Sequence, residues 1–276
     1  MPELPEVEVV CQGLRPHLVG RKIVQIRHSG MNLRTQIPIA DMFRHILSRT
    51  VVDVARRAKY LIITLDNGAR LLIHLGMTGR LGFFPFAVPA VRHDHLSLLL
   101  DNDLDLRLND SRRFGAIHVF SGDEAADLDQ TFFKAIGPEP LSERFSARYL
   151  IDKAAGKQQP VKAFLMTTTT VAGIGNIYAN EILFAARIRP ARSAASLSPA
   201  AWRRIVTQTR LVLQHAVDCG GSTISDFLNA ERKSGYFQVH FKVYGRQGEP
   251  CTTCGHPIEK IKIGGRASYY CPKCQK

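Results

Sequence analysis

Four of the six cysteines lie in the last 26 residues, and they constrain the fold of this tail more than any other feature of the sequence. They form two Cys-x-x-Cys pairs, Cys251 with Cys254 and Cys271 with Cys274, and 16 residues separate the pairs. Each pair can chelate a metal through a tight turn, and together they close a tetrahedral four-thiolate site with no open position for catalysis. The pattern predicts one structural zinc ion (Zn2+), and a rubredoxin-like iron site is the alternative.

The stretch between the cysteine pairs predicts a β-hairpin over residues 258–270 that turns at Gly264 and Gly265. Arg266 directly follows this turn. A basic side chain on a rigid, metal-bound hairpin is well placed to contact a phosphate. A solvated loop arginine is the alternative interpretation of Arg266.

The chain carries 37 lysines and arginines against 24 acidic residues, a net charge of +13. A protein this basic usually binds a polyanion, so we expect a nucleic acid, with an anionic membrane surface as the competing partner. No run of 18 apolar residues is present, and the acidic start is unlike a secretory signal. We therefore expect a cytoplasmic protein without a membrane partner. We also expect a monomer, because no oligomerisation element is recognisable.

The periodicity of apolar residues changes along the chain. In the first half, short apolar runs recur between turns such as Asp66-Asn67-Gly68, which favours a β-sandwich or barrel. An N-terminal helix after Pro5 is the exception. Beyond the linker at 137–140 the spacing becomes helical, most clearly after Ser198. The predicted fold class is α+β and multidomain, divided into a β-rich domain over 1–135, a helical domain over 136–235 and a metal-binding hairpin over 236–276.

Proline at position 2 has a chemical consequence. An initiator methionine is normally removed before a small residue, so Pro2 would present a free secondary amine. An α-amine has a pKa of about 8, well below that of lysine, so part of it is neutral and nucleophilic at neutral pH. Glu3 and Glu6 place carboxylates beside this amine, where they can move protons. The alternative is that these residues are only an ordinary chain start.

Eight motifs, spread over the whole chain in the same order, resemble those of the formamidopyrimidine-DNA glycosylases. Besides the four cysteines, they are Met1–Glu8, Arg57–Tyr60, His74–Gly79, Arg112–Gly115, Gly173–Tyr178, Gly235–Phe237 and Val243–Arg246. The related endonuclease VIII branch typically begins Pro-Glu-Gly-Pro-Glu. Leu4 stands at the glycine position here, which favours the branch that acts on purine lesions.

This resemblance implies both a fold and an activity. The fold would be an N-terminal β-sandwich with flanking helices, then a helix–two-turns–helix domain and a four-cysteine zinc finger. The activity would be that of a bifunctional DNA glycosylase and AP lyase of base excision repair. It would remove 8-oxoguanine and formamidopyrimidines from damaged double-stranded DNA, and then cleave the strand by β- and δ-elimination.

The resemblance also implies catalytic roles. Pro2 corresponds to the nucleophile that attacks C1′ of the flipped nucleotide, and Glu3 to the acid that assists opening of the sugar ring. Glu6 supports the amine. Lys59 corresponds to the lysine of the β-rich domain that reaches the lesion and its flanking phosphate. Arg266 joins this catalytic set.

Six further residues are implied to bind DNA. Met77, Arg112 and Phe114 correspond to the side chains that fill the gap left by a flipped base, which offsets part of the cost of unstacking. The phosphate contacts are Asn176, which pairs with Arg266 in a clamp, together with His74 and Lys157.

Three segments depart from the family pattern. Ser111 replaces a proline that many members carry before the two arginines, residues 167–170 are all threonine, and Ser225 stands where some members have lysine. These departures leave open which lesion is preferred. The catalytic residues themselves are intact. Two alternatives to the purine-lesion enzyme remain: an oxidised-pyrimidine glycosylase of the endonuclease VIII branch, and a non-catalytic DNA lesion-binding protein.

Overall fold

A computed structural model of the protein describes residues 2–221 and 241–276. Met1, Ser225, the motif Gly235–Phe237 and the expected boundary between 235 and 236 lie outside these residues. The chain divides into two compact units, Met1–Lys134 with Gly220–Tyr236, and Ala135–Cys219 with Phe237–Lys276. No helix of the described part is long and apolar enough to cross a lipid bilayer.

The first unit is a β-sandwich with flanking helices, as predicted. One antiparallel sheet has the strand order β1-β6-β7-β5, and the other has the order β2-β3-β4-β8. The helices are α1 (Leu4–Leu18), α2 (Ile39–His45) and α3 (Gly122–Ala125). The strands are β1 (Ile23–His28), β2 (Val51–Arg57), β3 (Tyr60–Leu65), β4 (Arg70–His74), β5 (Arg80–Pro85), β6 (Asp94–Leu100), β7 (Leu104–Asn109) and β8 (Ala116–Phe120).

A single apolar core holds the sandwich together. Inward-facing side chains from both sheets, such as Leu98 and Ile63, belong to the same buried cluster. Helix α1 contributes Val7, Val10 and Leu14 to this cluster, because these residues recur at helical spacing along one face. The helix that carries the N-terminus is therefore fixed on the sandwich by apolar burial.

The second unit combines helices with the cysteine-bearing hairpin. Its helices are α4 (Ala147–Ala154), α5 (Val161–Met166), α6 (Asn176–Ala185) and α7 (Pro199–Asp218), and a short 3-10 helix covers Ala194–Ser196. Helix α7 begins as predicted, because the Ser198 hydroxyl accepts a hydrogen bond from the Ala201 amide. Strands β9 (Glu259–Ile263) and β10 (Arg266–Tyr270) form the antiparallel hairpin expected around Gly264 and Gly265.

The hairpin packs on α6 through buried polar side chains. The Asn180 side-chain oxygen accepts from the Tyr269 amide at 2.7 Å. Glu181 is buried, and its carboxylate accepts from the three backbone amides of 242–244 at 2.8–3.0 Å. Burial raises the pKa of Glu181, although these three amides oppose the rise. The residues that lead into the finger are thus tied to the helix that begins at Asn176.

Candidate active site and metal centre

The four cysteines of the tail converge on one point, as their spacing predicts. Their sulfur atoms all lie within 4.8 Å of one another. Sγ of Cys251 is 3.9 Å from Sγ of Cys274, and Sγ of Cys254 is 3.5 Å from Sγ of Cys271. A tetrahedral zinc with Zn–S bonds of about 2.3 Å requires sulfurs about 3.8 Å apart, so the donor set fits zinc.

The N-terminal residues are buried at the start of α1. Glu3 is the N-cap residue of this helix, and the Glu6 carboxylate accepts a hydrogen bond from the Glu3 amide at 2.8 Å. Both carboxylates are almost fully buried. Glu6 therefore fixes the backbone of the residue that follows Pro2.

Gly221 lies next to Glu6 at this site. Its backbone has a φ of +79°, and a Cβ atom there would lie 3.4 Å from Cα and 3.5 Å from Cγ of Glu6. A side chain at this position would be strained by the backbone conformation, and its Cβ would make ordinary van der Waals contact with Glu6. Gly221, the last described residue before 222–240, thus lies next to the N-terminal carboxylate of Glu6.

Lys59 lies in the tight turn between β2 and β3. Arg57 pairs with Tyr60 across the two strands, so Ala58 and Lys59 form a two-residue turn, and Ala58 has a φ of +55°. A left-handed conformation costs a non-glycine residue about 1–2 kcal/mol. The surroundings must therefore hold this turn in place.

Arg56 links the Lys59 turn to helix α1. Its guanidinium donates to the Ala58 carbonyl at 2.9 Å and to the Glu8 carboxylate at 2.8 Å. The side chain of Arg56 is only 9% exposed, so both contacts are largely shielded from water. The helix that carries Pro2 and Glu3 and the turn that carries Lys59 are thus coupled through one residue that the sequence analysis missed.

His74 ends strand β4 as a neutral imidazole. Burial, together with the positive charges of Arg34 and Lys59, lowers its pKa to about 4. Its Nδ1 accepts from the Gly76 amide at 3.0 Å, so the proton of the neutral ring lies on Nε2. His74 can therefore donate to a phosphate as a neutral group, which fits its predicted role.

The three predicted gap-filling side chains lie on two neighbouring loops. Met77 is 36% exposed and Phe114 is 39% exposed, although both are large and apolar. The guanidinium carbon of Arg112 lies 4.6 Å from the centre of the Phe114 ring. An exposed methionine and an arginine stacked on an aromatic ring are suited to replace a base in a stack.

Asn176 and the strand that begins with Arg266 meet at a buried lysine. Lys162 is only 1% exposed, and its Nζ donates to Asn176 Oδ1 at 2.7 Å, to the Ala267 carbonyl at 2.7 Å and to the Ser268 hydroxyl at 2.6 Å. Because Asn176 Oδ1 accepts from the lysine, the Nδ2 group is the donor that Asn176 offers to a ligand.

Lys157 is placed differently from Lys162. It is exposed after α4, and its carbonyl accepts from the Ala195 amide at 3.0 Å. The contact with Asn176 belongs to Lys162, which the sequence analysis did not select. The available signal was one lysine within the otherwise apolar segment 161–166. Such a lysine in a short buried helix requires polar partners.

Family models match three segments of the chain. The formamidopyrimidine-DNA glycosylase N-terminal domain matches residues 1–117, and the H2TH (helix–two-turns–helix) domain of the same glycosylase matches 136–228. The zinc finger found in FPG and IleRS matches 248–276. These matches define the class: a DNA glycosylase with an H2TH domain and a zinc finger.

Full-length relatives agree with the family models. The chain is 43% identical to formamidopyrimidine-DNA glycosylase of Hahella chejuensis and 44% identical to that of Photobacterium profundum, with 100% of each chain covered. A Lactococcus lactis FPG mutant in complex with Fapy-dG-containing DNA has a TM-score of 0.92 at 34% identity, over 100% of both chains. MutM (FPG) of Thermus thermophilus has a TM-score of 0.84 at 37% identity, over 99% of this chain and 98% of that one.

The chain belongs to the formamidopyrimidine-DNA glycosylase family. It is a DNA glycosylase of base excision repair with the AP lyase activity of that family. The zinc-finger match and the clustered sulfurs confirm one structural zinc as the cofactor, in place of the iron alternative. Among the described residues, Cys251, Cys254, Cys271 and Cys274 offer the four clustered sulfurs that such a zinc requires.

Proposed function

We propose that this enzyme excises oxidised purines, 8-oxoguanine and formamidopyrimidines, from duplex DNA with Pro2 as its nucleophile. The observation that carries the proposal is the buried pair of carboxylates at the start of α1, where Glu6 fixes the backbone of Glu3 next to Pro2. The Lactococcus lactis FPG mutant in complex with Fapy-dG-containing DNA supports this substrate class, and the complex of that species' Fpg with abasic-site DNA supports the lyase step.

The chemistry starts at the Pro2 nitrogen. Its lone pair attacks C1′ as the damaged base leaves with the bonding electrons and takes up a proton. Glu3 takes the proton that the Pro2 nitrogen loses and delivers it to O4′, so the sugar ring opens and the nitrogen–carbon bond becomes an iminium ion. This cation accepts electrons when the C2′ proton is removed, so the 3′-phosphate leaves in β-elimination. A second elimination expels the 5′-phosphate, and hydrolysis releases Pro2.

Lys59 and His74 serve the same reaction on the β-rich unit. Lys59, held by the strained turn and by Arg56, supplies a positive charge toward the lesion and its flanking phosphate. His74 donates its Nε2 proton to a phosphate without adding charge. Met77, Arg112 and Phe114 enter the space that the damaged base vacates.

Asn176 and Arg266 act as a phosphate clamp on the second unit. Asn176 opens α6, where backbone amides and the helix dipole favour an anion. Arg266 opens β10 beside the lysine that holds Asn176. Lys157 adds a more peripheral phosphate contact from the exposed loop after α4.

The proposal extends to organisation and location. We assign residues 1–135 to catalysis, 136–235 to DNA binding and 236–276 to the zinc finger. The enzyme acts as a monomer in the cytoplasm, associated with the nucleoid through DNA. Its net charge of +13 supports binding to DNA.

Excision assays test the substrate class directly. Duplexes with 8-oxoguanine opposite cytosine and with thymine glycol are incubated with the enzyme under single-turnover conditions. We expect faster excision of 8-oxoguanine, because Leu4 is typical of the purine branch. Preferential excision of thymine glycol would assign the enzyme to the endonuclease VIII branch. Tight lesion binding with no excision of either base would identify a non-catalytic lesion-binding protein.

A further inference from the structure

The two gap-filling loops both connect one sheet of the sandwich to the other. Residues 75–79 join β4 to β5 and carry Met77. Residues 110–115 join β7 to β8 and carry Arg112 and Phe114. Neither loop has regular secondary structure of its own, so other contacts must fix the position of these three side chains relative to one another.

Asp110 is the first residue of the second loop and is completely buried. One oxygen of its carboxylate accepts from the Thr78 hydroxyl at 2.5 Å, and the other accepts from the Gly115 amide at 2.8 Å. The Thr78 oxygen in turn accepts from the Arg112 amide at 3.1 Å. One carboxylate therefore connects the loop of Met77 to both ends of the segment that carries Arg112 and Phe114.

A second chain of hydrogen bonds holds Asp110 itself. Its carbonyl accepts from His95 Nε2 at 3.1 Å, and Nδ1 of the same ring lies 2.9 Å from the Ser29 hydroxyl. Because Nε2 must carry the proton that it donates, Nδ1 accepts from Ser29. Asp110 is thus anchored to β6 through His95, and His95 to the residue after β1.

The backbones of the two loops also pack directly against each other. A Cβ atom at Gly76 would lie 2.3 Å from the carbonyl carbon of Phe114 and 2.5 Å from the Gly115 nitrogen. Gly76 has a φ of +63°, which favours glycine for a second reason. A displacement of one loop is therefore transmitted to the other.

We propose that Asp110 is a positioning residue that holds Met77, Arg112 and Phe114 as one unit for extrusion of the damaged base. This inference rests on the proposed function. Asp110 does not touch the lesion, and it acts through Thr78 and Gly115. A flipped base must be replaced in the stack by side chains already in place, because ordering them during extrusion would add to its cost.

Loss of this positioning should affect base excision and abasic-site cleavage unequally. Excision of 8-oxoguanine from a paired duplex requires extrusion, whereas a pre-formed abasic site presents no base to extrude. Loss of the Asp110 contacts should therefore slow base excision much more than cleavage at an abasic site. A merely structural defect would lower both rates together.

The test compares Asp110→Asn, Thr78→Val and Thr78→Ser with the unmodified enzyme. Asn keeps the volume of Asp110, but it cannot accept from both Thr78 and Gly115. Val removes the Thr78 hydroxyl, and Ser restores it. Asp103→Asn, the same change at an exposed turn of the same sheet, is the matched control.

We expect Asp110→Asn and Thr78→Val to excise 8-oxoguanine about 10-fold more slowly, as loss of one buried bond to a charged group predicts. Cleavage of an abasic duplex, which needs no base extrusion, should change by less than about 2-fold. Thr78→Ser and Asp103→Asn should match the unmodified enzyme. In an Arg112→Ala background, Asp110→Asn should lower the rate of 8-oxoguanine excision little further, because the gap-filling side chains that Asp110 positions are already impaired.

Equal loss on both substrates, or additive losses in the Arg112→Ala cycle, would overturn the proposal. Failure of the unmodified enzyme on both substrates would instead refute the proposed function. Amide hydrogen exchange in the free enzyme then tests Asp110 separately. Faster exchange at Arg112 and Gly115 in Thr78→Val supports the positioning role, and unchanged exchange refutes it.

Discussion

Replacement of Lys162 by methionine is the most informative test of the phosphate clamp. Methionine has a similar length and fills the same space without the charge. The change removes three hydrogen bonds of 2.6–2.7 Å and leaves Asn176 Oδ1, the Ala267 carbonyl and the Ser268 hydroxyl without their buried donor. It also removes the cost of burying the ammonium group, so the three bonds do not simply add.

The expected loss follows from these opposing terms. Each buried acceptor left without a donor costs about 1–3 kcal/mol, three acceptors lose their donor here, and the relief of ammonium burial offsets part of the sum. We therefore expect the free energy of unfolding of Lys162→Met to fall by about 3 kcal/mol. Lys157→Met, at an exposed position, should change it by less than about 0.5 kcal/mol.

Urea denaturation of the zinc-loaded enzyme measures the change in the free energy of unfolding. Titration with abasic-analogue DNA at several salt concentrations measures the affinity for DNA and its salt dependence. Lys162→Met should bind DNA more weakly with an unchanged salt slope, because Lys162 orients Asn176 and the Arg266 strand without meeting a phosphate itself. A variant as stable as the unmodified enzyme would refute this reasoning, and so would a salt slope reduced by about one.

Three other predictions follow from the site. Arg56→Met should lower excision about 10-fold, measured by single-turnover kinetics, because it releases the Lys59 turn from α1; an unchanged rate would contradict this coupling. His74 has a pKa of about 4 when folded and about 6.5 when unfolded, so stability should fall as the pH drops from 6.5 toward 4. His74→Gln should lack this component in urea titrations across that range, and an identical pH dependence would count against it. Cys254→Ser should lose zinc by metal analysis and weaken DNA binding, because the Arg266 hairpin loses its anchor; retained zinc and affinity would exclude this role.

The parts of the site that could be predicted from the sequence are those set by local spacing. Two Cys-x-x-Cys pairs define their donors by chain geometry alone, and Ser198-Pro199 marks a helix start through its cap. The buried Glu3 and Glu6 lie within one helical turn, so their proximity also follows from the sequence.

The positioning residues could not be predicted, because their partners are remote in the chain. Lys162 meets Ala267 across 105 positions, and Asp110 meets Thr78 across 32. In the sequence, Lys157 and Lys162 have the same charge and are equivalent candidates for the lysine of the phosphate site. Only burial and the contact with Asn176 distinguish them in the fold.

Borohydride trapping tests the central claim of the mechanism most directly. The enzyme is incubated with duplex DNA that carries 8-oxoguanine opposite cytosine, the iminium ion is reduced, and the modified peptide is identified by mass spectrometry. The account predicts a covalent adduct on the Pro2 nitrogen, lost in Pro2→Gly and greatly reduced in Glu3→Gln. An adduct on Lys59, or excision without any trapped species, would contradict the assignment of Pro2 as the nucleophile.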